Sequence, residues 1–182
     1  MMQNLEVRPA SRDDLESIRQ IYNEGIEDRV ATLDRDPKSS DEMARWWAQH
    51  TGRFVVLAAL DGRETVGWTS LNPFSDRCAH ENIADVSVYV RRNRRGRGVG
   101  RALLTRLVEY ARRGGFHKIV LHALNGNESG KRLYRSCGFR EVGVFEEHGI
   151  VDGTHVDVVA MERLLQESSR EVDLGRAGFE PA

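Results

Sequence analysis

Between Arg91 and Arg101 the chain carries six arginines, no acidic residue, and three glycines at alternate positions, Gly96, Gly98 and Gly100. Glycines let a backbone curl until several N–H groups aim at one point, and a helix starting there adds the positive end of its dipole. Such a loop binds anions, and the ligand it suits carries phosphate. The flanks supply the right context. Val86-Ser87-Val88-Tyr89-Val90 in front is β-branched and reads as a strand, and Ala102-Leu103-Leu104 behind opens an amphipathic helix. The spacing is not the dinucleotide pattern G-x-G-x-x-G, and no Gly-Lys-Ser/Thr follows, as a nucleoside triphosphate loop requires. Two other readings stay open at this point. One is a basic surface turn that happens to hold glycines; the other is a nucleic-acid patch, although no stacking aromatics are interleaved with the arginines.

A second candidate is Asp85, an acidic residue in a run otherwise rich in valine and isoleucine. An unpaired carboxylate is costly to bury, so Asp85 is either functional or faces solvent on a sheet edge. Strand alternation puts it on the face of Ser87 and Tyr89. The two cysteines, Cys78 and Cys137, are too few and too far apart for a zinc knuckle or a redox pair, and no metal is expected. Cys137 reads as a core residue.

At 182 residues, 40% hydrophobic and 30% charged, the chain is sized for one domain with a substantial core. A net charge of −1 argues against a general nucleic-acid binder. No apolar run approaches the ~20 residues of a membrane span. Met1 to Glu6 lacks the basic and apolar regions of a signal peptide. A cytoplasmic protein is expected, with neither membrane nor nucleic acid as a partner.

Ser11 with Asp14 resembles a helix cap ahead of Leu15, Ile18, Tyr22 and Ile26, which recur on one face. Ser39 with Glu42 forms a capping box ahead of Met43, Trp46 and Trp47, and the tryptophans read as core or pocket wall. Phe54 to Leu60 and Thr65 to Leu71 predict a hairpin turning at Asp61-Gly62, its return strand broken by Asn72-Pro73. Ile83 to Val90 is the next strand. Leu103, Leu104, Leu107, Val108 and Ala111 mark a helix that stops at Gly114-Gly115. A strand from His117 to Ala123 and a short helix from Asn127 to Cys137 follow. Glu141 to Ile150 and Thr154 to Leu164 read as two strands turning at Asp152-Gly153. Residues 5–165 then form the domain, and 166–182 are expected to be a disordered tail. The order predicts an α/β fold with a mixed sheet of six or seven strands and helices on both faces.

Arg95-Gly96-Arg97-Gly98-Val99-Gly100 matches the R/Q-x-x-G-x-G/A loop of GNAT-superfamily N-acetyltransferases. Asn125-Gly126-Asn127-Glu128-Ser129-Gly130-Lys131-Arg132-Leu133-Tyr134, continuing to Gly138-Phe139, resembles the superfamily's N-x-x-(S/A)-x-x-(L/F)-Y-x-x-x-G-F segment. The element order matches as well, and the resemblance covers residues 5–164. Within the superfamily the chain looks most similar to the phosphinothricin, methionine sulfoximine and arsinothricin N-acetyltransferases. Ile21-Tyr22-Asn23, Ala31-Thr32-Leu33, Asn72-Pro73-Phe74 with Arg77, Ala84 to Val90, and Asp152-Gly153 with Asp157-Val158 carry that likeness.

The resemblance implies transfer of acetyl from acetyl-CoA to the α-amine of a small amino-acid analogue, a detoxifying activity, by a homodimer. Such a reaction needs a held donor, a base for the ammonium, donors for the developing oxyanion and a proton for the departing thiolate. By resemblance, Arg95, Gly96, Arg97, Gly98, Val99, Gly100 and Arg101 take the pyrophosphate. Val88, Tyr89 and Val90 pair with the pantetheine arm, and a backbone N–H there faces the thioester oxygen. Asn127 bonds a pantetheine amide or simply caps its helix. Asp85 is the general base, at a position where related enzymes commonly carry glutamate; one methylene shorter, it acts directly or through water. Glu81, His148 and His155 are the fallback bases. Tyr134 is the acid for the thiolate, or a packing residue beside Leu133 and Cys137. Arg77, Leu33, Phe74 and His80 are expected near the acceptor. Acetylation of a protein or peptide amine, and acyl-CoA binding without turnover, remain as other readings.

Overall fold

The computed structural model describes residues 5–165; the tail expected at 166–182 lies outside them. In chain order the elements are β1 (Leu5–Pro9), α1 (Leu15–Glu27), α2 (Ser40–Ala48), β2 (Val56–Asp61), β3 (Glu64–Pro73) and β4 (Ile83–Val90). Then come α3 (Val99–Arg113), β5 (Lys118–Leu124), α4 (Glu128–Ser136), β6 (Arg140–Val151) and β7 (Thr154–Leu164). The strands form one mixed sheet of seven in the order β1-β2-β3-β4-β5-β7-β6. All neighbours are antiparallel except β4 and β5, which are parallel.

Local sequence explains the helix starts. At α2 the Glu42 N–H donates to Ser39 Oγ at 3.3 Å while the Glu42 carboxylate accepts from the Ser39 N–H at 2.8 Å, the reciprocal box that satisfies two orphan donors. At α1 the carboxylate of Asp14 is buried and collects donors from three directions. Arg8 binds it bidentately at 2.8 and 3.1 Å, the Ser11 N–H at 2.7 Å, and Thr65 Oγ1 at 3.2 Å. That cluster pins β1, the start of α1 and β3 together. Burial raises the Asp14 carboxyl, but the Arg8 and Ser11 hydrogen bonds outweigh it and hold the group below the usual carboxylate range.

The two faces of the sheet carry separate cores. On one, the buried stripe of α3, Val99, Leu103, Leu104, Leu107, Val108 and Ala111, packs with Leu57, Val66, Leu71, Val86, Ile119 and Leu121. On the other, Ile18 and Ile21 of α1 and Met43 of α2 close over Val56 and Trp68, with Tyr22, Trp46, Trp47 and Tyr89 at the margin. The tryptophans are therefore core and pocket wall, as their spacing suggested.

Three features differ from the sequence reading. An N-terminal strand, β1, pairs with β2 from Leu5 opposite Asp61 to Pro9 opposite Leu57. The strand β3 is not broken at Asn72-Pro73 but runs through it, with Asn72 opposite Asp85 and Pro73 opposite Ala84. And β4 is the middle strand, paired on both sides at Asp85, so the solvent-edge explanation of that carboxylate falls.

The feature that makes a site is the parting of β4 from β5. They pair only where Ile83, Ala84 and Asp85 lie opposite Lys118, Ile119 and Val120. Beyond Asp85 each strand stays with its outer neighbour, β4 with β3 as far as Val90 and β5 with β7 as far as Leu124. The sheet opens into a V.

Candidate active site

A cleft of about 650 Å³ fills that V. Its walls are Val86 to Val90 of β4, the turn with Arg95, Gly96 and Gly98, the first residues of α3, and His122, Asn127, Leu133 and Tyr134. Backbone direction on β4 follows from its contacts with β3. The Arg91 N–H donates to the Val66 carbonyl at 2.9 Å, and Thr69 Oγ1 donates to the Ser87 carbonyl at 2.7 Å. Alternate residues point alike, so Ser87, Tyr89 and Arg91 face β3, and the main-chain groups of Val88 and Val90 face the cleft. The Val90 carbonyl accepts from Arg95 Nε at 3.0 Å. Both main-chain groups of Val88 are left without a ladder partner on that side.

The turn has the geometry of an anion cradle. Gly96 and Gly98 sit at φ of +72° and +87°, the left-handed region that disfavours side chains, and Gly98 is the N-cap of α3. At Gly100 a Cβ would lie 2.7 Å from Leu133 Cδ2, so this glycine lets α3 and α4 approach closely.

The arginines are less uniform than the sequence implied, because acids from elsewhere in the chain reach them. Arg91 meets Glu24 and Glu64, Arg92 meets Glu27 and Asp28, and Arg94 meets Asp61 and Glu64. Arg95 pairs with Asp28. Burial raises the Asp28 carboxyl, but hydrogen bonds from Arg92 and Arg95 outweigh it and keep it ionised. Only the exposed Arg97 and Arg101 of the six have no acidic partner among the described residues, and of these Arg101 lines the cleft while Arg97 does not. The continuous basic patch suggested by the sequence is thus largely neutralised.

At the apex lies Asp85, its side chain about one-third exposed, with Oδ1 3.8 Å from Nδ1 of His122. Ser87 Oγ accepts from Asn72 Nδ2 at 3.2 Å, and the Asn72 Oδ1 lies 2.9 Å from His50 Nε2. The Tyr134 ring packs edge-on to Phe139 at 6.0 Å, and the residue lines the cleft together with Tyr89. Burial, then the neighbouring Tyr89 and the Asp85 carboxylate, push its pKa well up, so Tyr134 carries its proton throughout the neutral range. Asn127 is the cap of its helix, its Oδ1 accepting from the Gly130 N–H at 2.9 Å, and also lines the cleft.

The Acetyltransferase (GNAT) family model matches residues 15–139. The chain belongs to the GNAT acetyltransferase family. An L-methionine sulfoximine/L-methionine sulfone acetyltransferase of Pseudomonas paraeruginosa is 30% identical over 158 residues, 86% of this chain and 92% of that one. A GNAT superfamily phosphinothricin acetyltransferase from Sinorhizobium meliloti, solved in complex with AcCoA, is 32% identical, covers 91% of this chain and 90% of its own, and superposes with a TM-score of 0.86. A ribosomal-protein-alanine N-acetyltransferase from Brucella melitensis is 31% identical, covering 87% and 99%, with a TM-score of 0.84.

The other residues singled out in this GNAT chain fall in three places. Arg77, Phe74 and His80 belong to the connection between β3 and β4, at the end of β4 away from the glycine turn; Phe74 and His80 pack edge to face at 5.2 Å, and Ser75 Oγ is 2.7 Å from His80 Nδ1. None of the three lines the large cleft. Leu33 lies in the loop between α1 and α2, against Gly149 of β6. Of the fallback bases, His155 lines a separate cavity with Arg29 and Asp157, His148 stacks on Phe145 at 4.7 Å, and Glu81 ends the short turn after Arg77. The sequence reading passed over His122. It stands on the same face as Asp85, two residues past Asp85's partner on β5, a placement that depends on which strand lies beside β5.

Proposed function

We propose that this acetyltransferase moves the acetyl group of acetyl-CoA onto the α-amine of a small amino-acid analogue of the phosphinothricin, arsinothricin or methionine sulfoximine kind. The relatives at 30% and 32% identity support that class by name. The observation that carries it over a protein substrate is the roof on the acceptor side. The loop between α1 and α2 lies on the β6–β7 hairpin, with Leu33 against Gly149, Arg29 Nε 3.5 Å from Asp152 Oδ1, and Arg35 donating to the Ile150 carbonyl at 3.5 Å. A peptide needs an open groove; a free amino acid does not.

The donor fits the residues present. Left-handed Gly96 and Gly98, the start of α3, and Arg97 and Arg101, which have no acidic partner among the described residues, suit its pyrophosphate. The unpaired main chain of Val88 suits a pantetheine amide or the thioester oxygen, and Tyr89 and Val90 continue that edge. Asn127, its oxygen committed to the cap, offers Nδ2. The donor supplies an activated acetyl thioester. Asp85 serves the removal of the ammonium proton, Val88 N–H stabilises the carbonyl oxygen as it gains charge, and Tyr134 gives the sulfur its proton. Arg77 would meet the acceptor's carboxylate, with Leu33, Phe74 and His80 around it.

The homodimer has a surface to use. Along β6, the outermost strand, Val142, Val144, Phe145 and Ile150 are all exposed, and a long apolar edge of this kind invites cover. Cytoplasmic location belongs to the same reading; no helix among the described residues is long and apolar enough to cross a membrane.

The test is thiol release from acetyl-CoA with phosphinothricin, methionine sulfoximine, methionine sulfone, ordinary amino acids, polyamines and short peptides. Turnover confined to the glutamate and methionine analogues is the expected result. Turnover only with peptides overturns the acceptor class, and tight acetyl-CoA binding without turnover overturns the enzyme mechanism.

A further inference from the structure

Asp85 belongs to the last pair of β4 with β5, and His122 lies just past that pair, where the sheet divides. Asp85 lies opposite Val120, so His122, two residues on, projects from the same face of the sheet. The two side chains approach within 3.8 Å, Oδ1 to Nδ1. The imidazole belongs to the wall of the cleft, together with Val88 and Tyr134, whereas Asp85 does not. Resting on the acetyl-transfer reading above, we infer that His122 is the group that takes the proton from the acceptor amine, and that Asp85 acts through it as the carboxylate that orients the ring.

The short side chain of aspartate gives the arrangement its reason. A carboxylate held at the apex of the V is set back from the cleft, and an imidazole interposed between it and the ligand covers the gap. Asp85 engages Nδ1, which leaves Nε2 as the nitrogen free to accept a proton. The separation of 3.8 Å is longer than a hydrogen bond and closes by about 1 Å with a small rotation of either side chain, as catalytic contacts in ligand-free sites commonly do. The carboxylate then stabilises the imidazolium while it exists, the role of the acid in a carboxylate–histidine pair.

The surroundings leave this pair as the acid–base unit. From β6, the Phe145 ring stands 6.2 Å from the imidazole and carries His148 stacked on it at 4.7 Å. On β7, Ala160 lies opposite His122, and Glu162, further along that face, is already held by Lys118 and Arg140. From α4 comes Tyr134, protonated and on the same cleft. The proton balance is complete. The ammonium loses one proton to Nε2, its nitrogen forms the C–N bond, and the C–S bond breaks with the electron pair leaving on sulfur. Sulfur takes the Tyr134 phenol proton. The second nitrogen proton, released as the amide forms, restores the phenol by way of solvent, and the imidazolium returns its own proton to water.

The test uses the whole enzyme with acetyl-CoA and the panel acceptor that turns over best. His122→Ala and His122→Gln are expected to lower kcat by about 10²-fold, to leave acetyl-CoA affinity and the melting temperature unchanged, and to remove the acidic limb of the kcat–pH profile. Asp85→Asn should fall as far as either, and the D85N/H122A double variant no further, since groups that act as one unit are not additive. Asp85→Glu placed in the H122A background should recover part of the rate, because the added methylene lets the carboxylate reach the amine itself. An unchanged kcat and pH profile in both His122 variants, with Asp85→Asn inactive, would overturn the pair and leave Asp85 as sole base in an intact acetyl-transfer scheme. A wild-type enzyme that releases no thiol with any acceptor overturns the acetyl-transfer reading and this one together.

Discussion

Asp14 offers the most quantitative handle on the scaffold. Five donor groups converge on its two oxygens: two Arg8 nitrogens, the Ser11 N–H and hydroxyl, and the Thr65 hydroxyl. Asp14→Asn keeps the shape but replaces one acceptor oxygen with a donor, so the donors on that side face an NH₂ group. Breaking a buried ion pair costs about 3–5 kcal/mol. Arg8, about one-third exposed, can rehydrate, which places the expected loss near about 3 kcal/mol at pH 7. For a domain of this size that lowers Tm by roughly 6–12 °C. The pH dependence has a definite sign. The folded carboxyl titrates below its unfolded value, so its contribution is fully present above the ordinary aspartate range and is lost as pH falls through the lower, folded value. The gap between wild type and variant in urea unfolding should therefore be constant from pH 8 to 5 and shrink below about pH 4. A variant within about 0.5 kcal/mol of wild type at pH 7, the range of an indifferent surface change, would refute the argument, as would a gap that widens on acidification.

Tyr134→Phe keeps the ring packed on Phe139 and loses only the hydroxyl; steady-state kinetics should show kcat down by about 10²-fold with acetyl-CoA affinity held. The ion-pair pattern separates the arginines. Replacing Arg97 and Arg101 by alanine should weaken acetyl-CoA binding by about 10-fold or more in calorimetry, while Arg92→Ala, whose guanidinium is already occupied by Glu27 and Asp28, should leave Kd unchanged. Phe145→Glu places a charge in the exposed apolar row of β6; if the proposed homodimer uses that row, light scattering should show a dimer for wild type and a monomer for the variant.

Much of this fold is legible where short-range chemistry dictates it. The capping box at Ser39 and Glu42, the hairpin turn at Gly62 and the stripe from Leu103 to Ala111 are local signals, and the structure reproduces each. The N-terminal strand is not legible, because five residues ending in proline have little periodicity, and only pairing with β2 makes them a strand. Asn72-Pro73 misled for the opposite reason: proline at a strand's last position costs the ladder nothing. In the site, the glycine turn was readable as a turn, but the state of its arginines was not. Glu24, Asp28 and Glu64 reach them from α1 and β3, across distances in sequence that no local pattern records. His122 escaped notice likewise, since its meaning depends on which strand lies beside β5.

The parting of β4 from β5 has a consequence for the life of the protein between turnovers. A strand edge in the middle of a sheet is left unzipped from Val86 to Val90, and a bound donor whose amides run along it would act as the missing strand. Binding energy then becomes folding energy: at a hundred times Kd the linkage is worth about 2.7 kcal/mol. Amide hydrogens of Val88 and Val90 should exchange freely in the empty protein and be shielded in the loaded one. The enzyme's resistance to heat and proteolysis would accordingly rise and fall with the supply of acetyl-CoA around it.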